Sequence, residues 1–168
     1  GDNAPKLISI SLNDDSLVEP TESFNVVLSN PTGGALLGSV ANTQVNIQDN
    51  DSPPSPGVLE FSQPLYTFNE DGGSVSIIVT RKNGSDGQVS ADYTVNPGTA
   101  LGGGTDFTLA NATVTFMDGD NAPKLISISL NDDNLVEPTE SFNVVLSNPT
   151  GGATLGSISN SQVDILDN

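Results

Sequence analysis

Apolar and other residues alternate with a period of two in several short stretches of the chain. One such stretch places Val75, Ile77 and Val79 on one face of a strand, and Ser76 and Thr80 fall on the opposite face. Because successive side chains of a β-strand point to opposite faces, this alternation predicts strands with one buried face. The pattern predicts strands at residues 58–69 (bent at Pro64), 73–82, 88–95, 112–117, 123–130, 140–147 and 161–167.

Turn sequences separate these stretches at short intervals, and the chain shows no amphipathic helical pattern. The turn sequences include Asp71-Gly72-Gly73, Asn83-Gly84 and Asn96-Pro97-Gly98, which favour tight reversals of the backbone. Seven short strands over about 110 residues are typical of two packed antiparallel sheets. The sequence therefore predicts an all-β fold, an immunoglobulin-like antiparallel β-sandwich with Greek-key connections.

Residues 1–50 and 119–168 are two copies of nearly the same sequence, offset by 118 residues. They differ at seven of fifty positions, which in the first copy are 16, 36, 40, 41, 43, 46 and 48. The alternating apolar positions of the second copy therefore have twins in the first, namely Ile8, Ile10, Leu12, Phe24, Val26, Leu28, Val45 and Ile47. Such slight divergence predicts a tandem repeat with a 118-residue period.

The segment between the two copies occurs once. We interpret residues 58–168 as a complete domain, residues 1–50 as the C-terminal half of another, and residues 51–57 as a semi-rigid proline-rich linker. A lone fragment of three strands is marginal in water and leaves its apolar face exposed. A first half from outside these 168 residues is therefore expected to cover residues 1–50, either in a longer array, which the 118-residue register favours, or in a neighbouring chain.

The chain is strongly acidic, with 21 Asp and Glu against 4 Lys and Arg, a net charge of -17, and no His, Cys or Trp. This charge repels phosphate backbones and anionic lipid surfaces, so neither nucleic acid nor direct membrane contact is expected. The lack of His and Cys, together with the lack of a G-x-S-x-G nucleophile motif, indicates that the chain is not an enzyme and has no catalytic residues.

The chain carries a phased series of motifs, namely Phe68-Asn69-Glu70, Val79-Thr80-Arg81, Gly98-Thr99-Ala100, Gly103-Gly104-Thr105-Asp106-Phe107, Val114-Thr115-Phe116, Asn131-Asp132-Asp133, Phe142-Asn143-Val144-Val145-Leu146-Ser147 and Val163-Asp164-Ile165-Leu166-Asp167-Asn168. These motifs resemble those of the Calx-beta domain family. The resemblance covers residues 58–168 as a whole domain and residues 1–51 as a C-terminal half. The family is found in sodium-calcium exchangers and in large bacterial surface proteins, so the resemblance implies a β-sandwich with an acidic calcium site.

Asp132, Asp133, Glu137 and Glu140 lie in or beside one predicted inter-strand loop. Calcium takes six to eight oxygen ligands, mostly carboxylates and carbonyls, so this loop is a candidate Ca²⁺ site. The resemblance implies that further ligands come from Glu70, Asp106 and the terminal run Asp167-Asn168, and that the partial domain repeats part of the set as Asp14, Asp15, Glu19, Glu22, Asp49 and Asp51. The alternative is a solvated turn at residues 132–134, with the glutamates facing water or capping the backbone.

These inferences favour a structural function over the alternatives. The expected protein is a repeat module of a secreted or cell-surface bacterial adhesin, sheath or filament. Its near-identical domains would stack head to tail on neighbouring copies, with calcium stiffening the joints. The alternative is a calcium-sensing regulatory module of a larger membrane-associated protein. Near-identity of the repeats favours the first hypothesis, and both predict Ca²⁺ as the bound ion and no organic cofactor.

Overall fold

The structure, a computed structural model, describes residues 2–167. It divides into two units, Gly1–Pro53 and Pro54–Asn168, so their boundary falls inside the predicted linker. Asn168, the second residue of the predicted terminal acidic run, lies outside the described residues. Within the described part of the chain, no helix is long and apolar enough to cross a membrane.

The second unit is a sandwich of two five-stranded sheets, and the first unit contains a two-stranded sheet. One five-stranded sheet has the order β4-β12-β10-β6-β8, and the other has the order β11-β3-β5-β9-β7. The strands are β1 Glu22–Val27, β2 Asn42–Ile47, β3 Val58–Phe61, β4 Leu65–Asn69, β5 Ser74–Lys82, β6 Val89–Pro97, β7 Phe107–Thr108, β8 Ala112–Phe116, β9 Lys124–Leu130, β10 Glu140–Ser147, β11 Thr154–Leu155 and β12 Asn160–Leu166. The all-β sandwich predicted from the alternation is confirmed, but it is not antiparallel throughout, because β4 pairs with β12 and β3 pairs with β11 in parallel.

Each strand predicted between residues 58 and 168 has a counterpart in the structure. The bend predicted at Pro64 separates β3 from β4, and the two strands lie in different sheets. The sequence missed β7 and β11, which are two residues long and therefore too short to show a period of two. Inward-facing residues of both sheets form one apolar core, in which the Phe107 and Phe142 rings stack with their centroids 3.8 Å apart.

Strand register fixes the two ends of this sandwich. Val58 of β3 lies opposite Lys82, so the chain begins the second unit beside Arg81, at what we call the Arg81 end. Asn69, at the finish of β4, lies opposite Leu166 of the parallel strand β12. We call this the Glu70 end, because Glu70 follows directly in a short 3₁₀ turn, Glu70–Gly72. The second unit therefore begins at one end of the sandwich and finishes at the other.

The buried guanidinium of Arg81 ties the predicted linker to the second unit. It uses all five of its N–H donors on main-chain carbonyls. Nε donates to Pro56 (2.8 Å), Nη1 to Met117 (3.1 Å) and Asp120 (3.2 Å), and Nη2 to Asp86 and Gly87 (2.9 Å each). The last residues of the predicted linker are thus held in place before β3 begins.

The first unit has nearly the sequence of residues 119–168 but only part of its structure. β1 and β2 pair as β10 and β12 do, with Phe24 opposite Val45 and Phe142 opposite Val163. Residues 6–12, however, form no strand, whereas the identical seven residues Lys124–Leu130 form β9. The exposed fractions of Ile8, Ile10 and Leu12 are 65%, 46% and 60%, against 3%, 0% and 6% for Ile126, Ile128 and Leu130.

Residues 6–12 form no strand because the first unit has no counterparts of the strands that pair with β9. β9 pairs with β5 on one side and with β7 on the other, and both partners come from the segment that occurs once in the chain. A strand needs a neighbour to satisfy its main-chain N–H and C=O groups. The strand predicted at Ile8, Ile10 and Leu12 is therefore wrong for the first unit, although the same pattern is right for the second.

Candidate metal centre

Carboxylates from separate parts of the second unit meet at the Glu70 end. Asp106, Glu137 and Glu140 each place a carboxylate oxygen within 4.8 Å of the other two. Among residues 2–167, this is the one group of three ligand-bearing side chains with such spacing. The pocket around them is also lined by the carboxylates of Glu70, Asp133 and Asp167. We call these six residues the carboxylate cluster.

Two members of the cluster hold the loop between β9 and β10 in place. Glu70 Oε1 accepts a hydrogen bond from the backbone N–H of Asp133 (3.0 Å). Asp167 Oδ2 accepts one from the backbone N–H of Glu137 (3.2 Å). The loop is therefore tied to the ends of β4 and β12, which places its acidic side chains beside Glu70 and Asp167.

A glycine motif brings Asp106 to the same place. A Cβ on Gly98 would lie 2.2 Å from the carbonyl oxygen of Ser141, so only glycine allows this close approach of the two backbones. The backbone N–H of Ala100 donates to that carbonyl (3.0 Å), and the backbone N–H of Ser141 donates to Thr99 Oγ1 (2.8 Å). The loop that carries Asp106 is thus fixed against the start of β10, where Glu140 lies.

Further hydrogen bonds orient Asp106 itself. Its Oδ2 accepts from the backbone N–H of Leu101 (2.5 Å), and its carbonyl accepts from the backbone N–H of Asn131 (2.9 Å). The Asn131 side-chain amide also donates to the carbonyls of Gly104 and Thr105. Sequence reasoning missed Asn131 and Thr105 as lining residues, although both stand next to acidic residues in the quoted motifs.

Electrostatics at the cluster disfavour its full ionisation. Burial, a hydrogen bond with Asp106 and the negative charges of Asp106, Glu137 and Glu70 raise the pKa of Glu140 from its ordinary value of 4.5 to about 7. Burial, followed by the charge of Asp133, also raises the pKa of Glu137. Mutual repulsion of this kind is relieved when a cation binds between the carboxylates.

In the part of the chain that the structure describes, no positive charge is paired with this cluster. Within residues 2–167 the ion pairs are Lys6 with Asp2, Lys82 with Glu60 and Lys124 with Asp120, and none involves a member of the cluster. The remaining basic side chain, Arg81, is bound to main-chain carbonyls at the opposite end of the sandwich. The donor set therefore fits a hard divalent cation such as Ca²⁺, which prefers carboxylate oxygens.

The structure brings together six of the seven ligands predicted for the complete domain. Glu70, Asp106, Asp133, Glu137, Glu140 and Asp167 line one pocket. Asp132 is exposed and is not among the lining residues. The solvated-turn alternative accounts in part for Asp133, because its Oδ1 accepts from the backbone N–H of Leu135 (2.6 Å). This turn, in which the Asp133 side chain accepts from a backbone N–H two residues ahead, is therefore present together with the carboxylate cluster.

The first unit contains part of an equivalent site. All six predicted residues, Asp14, Asp15, Glu19, Glu22, Asp49 and Asp51, line one pocket. Its loop repeats the hydrogen bonds of the second unit, with the backbone N–H of Glu19 donating to Asp49 (2.9 Å) and that of Leu17 donating to Asp15 (2.8 Å). The charge of Asp15, with burial and further carboxylates, raises the pKa of Glu19. Counterparts of Glu70 and Asp106 are lacking, because both belong to the segment that occurs once.

The chain is similar in sequence to parts of larger known proteins. The chain is 34% identical over 148 residues to the adhesion G-protein coupled receptor V1 of Danio rerio. The match covers 86% of this chain and 2% of the receptor. It is also 30% identical over 161 residues to the sodium/calcium exchanger 1 of Canis lupus familiaris. This match covers 86% of this chain and 16% of the exchanger. The chain therefore spans a small part of the length of both relatives.

The fold is similar to that of a solved structure, the calcium binding domain CBD12 of CALX1.1. The TM-score is 0.61 at 30% sequence identity, and the match covers 65% of this chain and 45% of that chain. The model of the Calx-beta domain family matches two stretches of the sequence, residues 1–51 and 53–168. These two matches together account for nearly every residue, and the chain belongs to the Calx-beta family.

Proposed function

We propose that this chain is a calcium-binding, non-catalytic structural module. The observation that carries the proposal is the group of three carboxylates, Asp106, Glu137 and Glu140, whose oxygens lie within 4.8 Å of one another. Among residues 2–167, no cationic side chain forms an ion pair with them. Ca²⁺ is the ion whose preference for many carboxylate oxygens suits this donor set. The similarity to a domain described as calcium binding gives independent support.

A bound ion would act on the stability of the loops that carry the ligands. Asp106, Glu137 and Glu140 would hold it, with Glu70, Asp133 and Asp167 close by. An ion that binds only the folded state stabilises that state by RT ln(1 + [L]/Kd), about 2.7 kcal/mol at a hundredfold excess over Kd. Bound calcium would therefore remove the repulsion between these carboxylates and hold together loops from both halves of the domain.

At a finer level, we propose that the module is one repeat of a secreted or cell-surface bacterial adhesin, sheath or filament. Two observations support a tandem array with a 118-residue period. The two copies differ at seven of fifty positions. The second unit begins at the Arg81 end and finishes at the Glu70 end, so head-to-tail repeats would each place a carboxylate cluster beside a joint. Calcium bound there would stiffen the joint, and a neighbouring repeat would complete residues 1–50.

A second candidate is a calcium-sensing regulatory module of a larger membrane-associated protein. The specific observation in its favour is the 30% identity to sodium/calcium exchanger 1 over 161 residues. A sensor converts ion occupancy into a signal for a partner domain, whereas near-identical consecutive repeats suit mechanical repetition. Flanking sequence separates the two candidates, because further 118-residue copies support the array and membrane-spanning segments support the sensor.

Calcium binding is tested by thermal unfolding of the full chain with chelator and with saturating calcium. We expect calcium to raise the melting temperature by about 5–10 °C, since a domain of this size gains a few degrees per kcal/mol. The variant Glu137→Gln should lose most of this shift. Asp71→Asn is the matched control, because Asp71 is exposed and lies outside the cluster but loses the same charge. An equal calcium shift in Glu137→Gln and in the unmodified chain would contradict the proposal.

A further inference from the structure

β8 is an edge strand of the five-stranded sheet β4-β12-β10-β6-β8. It pairs with β6 on one side, and within residues 2–167 no strand lies on its other side. Val114 and Phe116 of β8 are buried in the core. Thr113 and Thr115 alternate with them and are exposed on the outer face of the sheet. The free side of an edge strand is a template on which another strand can pair.

A hydrogen bond of β6 shows which main-chain groups of β8 point to this free side. The carbonyl of Ser90 accepts from the backbone N–H of Thr150, which follows β10 on the side of β6 that lies away from β8. Ser90 is the residue of β6 opposite Thr115. Main-chain groups of successive strand residues alternate between the two neighbouring strands. The N–H and C=O groups of Thr115, and of Thr113 two residues before it, therefore point away from β6.

The free side of β8 is complementary to a second β8 that runs in the opposite direction. A two-fold axis at Val114 places Thr113 of each copy opposite Thr115 of the other. Each of these two pairs can exchange two main-chain hydrogen bonds, so the contact would satisfy all four free groups of each strand. Threonine pairs are favourable cross-strand neighbours, and no like charges stand opposite each other in this register.

The other edges of the sandwich have features that discourage pairing. β7 and β11, the edges of the second sheet, are two residues long. β4 follows Pro64 directly and leads into Glu70 and Asp71, and both prolines and charges protect an edge strand. By contrast, residues 107–117 contain no proline and no charge, in a chain whose net charge is -17. Two copies therefore meet less repulsion along β8 than along the acidic parts of the surface.

An exposed apolar side chain and an open groove lie at opposite ends of β8. Met117 follows the strand directly and is exposed. Ala112 and Thr113, at the start of the strand, line the groove together with Tyr93 and Asn111. In the two-fold register, Met117 of each copy comes opposite Asn111 of the other, beside that copy's groove. The pairing would thus bury two flexible apolar side chains as well as forming main-chain hydrogen bonds.

We propose that the free side of β8 is a self-association surface, on which two copies of this chain pair their β8 strands antiparallel about a two-fold axis at Val114. The two five-stranded sheets then form one ten-stranded sheet across the dimer. This contact runs along the side of the sandwich, so it is distinct from the head-to-tail contact proposed above and does not rest on calcium binding. One short strand pair buries little surface, so we expect a dissociation constant on the order of 0.1 mM.

The test measures self-association of the full 168-residue chain by sedimentation equilibrium, in chelator and about 0.15 M salt. The variant Thr113→Lys with Thr115→Lys places like charges opposite each other twice, so it should weaken the dimer at least about tenfold. It does so although two added positive charges reduce the repulsion between chains of net charge -17. Thr113→Lys with Thr115→Glu leaves the net charge unchanged and places lysine opposite glutamate twice. This variant should associate within about threefold of the unmodified chain, or more tightly.

Ser127→Lys with Ser129→Lys is the matched control, because it makes the same change in net charge at exposed positions of β9. It should associate at least as tightly as the unmodified chain, since its lysines lie outside the proposed contact. A chain that stays monomeric up to about 1 mM would overturn the proposal, because a dissociation constant of 0.1 mM leaves most of the chain dimeric there. Equal association of the two lysine variants would also overturn it.

Amide hydrogen exchange locates the contact within the chain. At a total concentration tenfold above the dissociation constant, about one fifth of the chain remains monomeric, so exchange at Thr113 and Thr115 should slow about fivefold relative to dilute protein. Exchange at Val114, whose N–H faces β6 in the monomer, should not change with concentration. Association that protects other amides, such as those of residues 7–12, and leaves Thr113 and Thr115 unchanged would overturn the proposal.

Discussion

Glu140 is the residue whose position in the fold bears most directly on the proposed calcium binding. It begins β10 beside Ser141, whose backbone is held against the Gly98 loop. That contact brings a carboxylate oxygen of Asp106 within 4.8 Å of one of Glu140. A motif glycine that carries no functional group thus sets the charge density of the cluster, because it decides how closely two carboxylates approach.

The raised pKa of Glu140 predicts how stability depends on pH without metal. The folded state keeps the Glu140 proton up to about pH 7, whereas the unfolded chain releases it near the ordinary value of 4.5. Between these values the folded state binds more protons, so the free energy of unfolding falls as pH rises through this window. Urea unfolding in chelator at several pH values measures this slope.

Glu140→Gln provides the control for that slope. The glutamine amide can still donate to Asp106 but does not titrate, so the variant should lose the Glu140 contribution to the fall between pH 4.5 and 7. Calcium affinity should rise with pH through the same window in the unmodified chain, because the ion competes with the proton. Identical pH slopes in the variant and the unmodified chain would contradict the assignment.

At the residue scale, the predictable part of the site was the part that lies close in sequence. Asp133, Glu137 and Glu140 form a local acidic loop, and the structure places all three at one pocket. Glu70 and Asp106 came only from the family resemblance, because no periodicity links them to that loop. Alternation could not distinguish Asp132 from Asp133, since the choice depends on the path of the closed loop, in which the backbone N–H of Asp133 donates to Glu70 and Asp133 lines the pocket.

At the element scale, one seven-residue sequence has two structures in the same chain. Lys124–Leu130 is a strand with three buried apolar residues, and the identical residues 6–12 are exposed and form no strand. Alternation therefore indicates a segment's capacity to form a strand, and its neighbours decide whether it does so. This pair of strands forms in both settings, as β1 with β2 and as β10 with β12, because the two strands are each other's partners.

This difference predicts unequal effects of the same substitution in the two copies. Ile128→Ala removes a fully buried side chain and should lower the free energy of unfolding by about 2–5 kcal/mol. Ile10→Ala, at the equivalent exposed position, should change it by less than about 0.5 kcal/mol. Urea unfolding followed by far-ultraviolet circular dichroism measures both variants. Equal losses would show that residues 6–12 are packed in the 168-residue chain.

At the scale of the whole molecule, counting the repeated segments in the sequence led to the hypothesis that the first unit is half of a domain. Two copies of a second half and one copy of a first half leave one sheet fragment uncovered, and the structure shows its apolar residues exposed. The repeat was a stronger guide here than composition, which bounded the partners but could not identify the fold. What the count could not reveal is that β1 and β2 still pair without their cover.

The difference in core burial between the two units predicts how the 168-residue chain unfolds in urea. The dependence of unfolding free energy on urea concentration, the m value, scales with the surface exposed on unfolding. The second unit closes its core within residues 54–168, whereas the first unit leaves large apolar side chains in solvent. We expect the 168-residue chain and a chain of residues 54–168 to have nearly equal m values, measured by far-ultraviolet circular dichroism.

Tyrosine fluorescence supplies an internal reference for this comparison, because Tyr66 and Tyr93 both lie in the second unit. The fluorescence and circular dichroism transitions should coincide in both chains if only the second unit unfolds cooperatively. Cooperative unfolding of residues 1–53 as well would raise the m value of the longer chain about 1.5-fold, in proportion to chain length. Such an increase at all protein concentrations would show that residues 1–53 bury a core of their own, which would contradict the exposure of Ile8, Ile10 and Leu12.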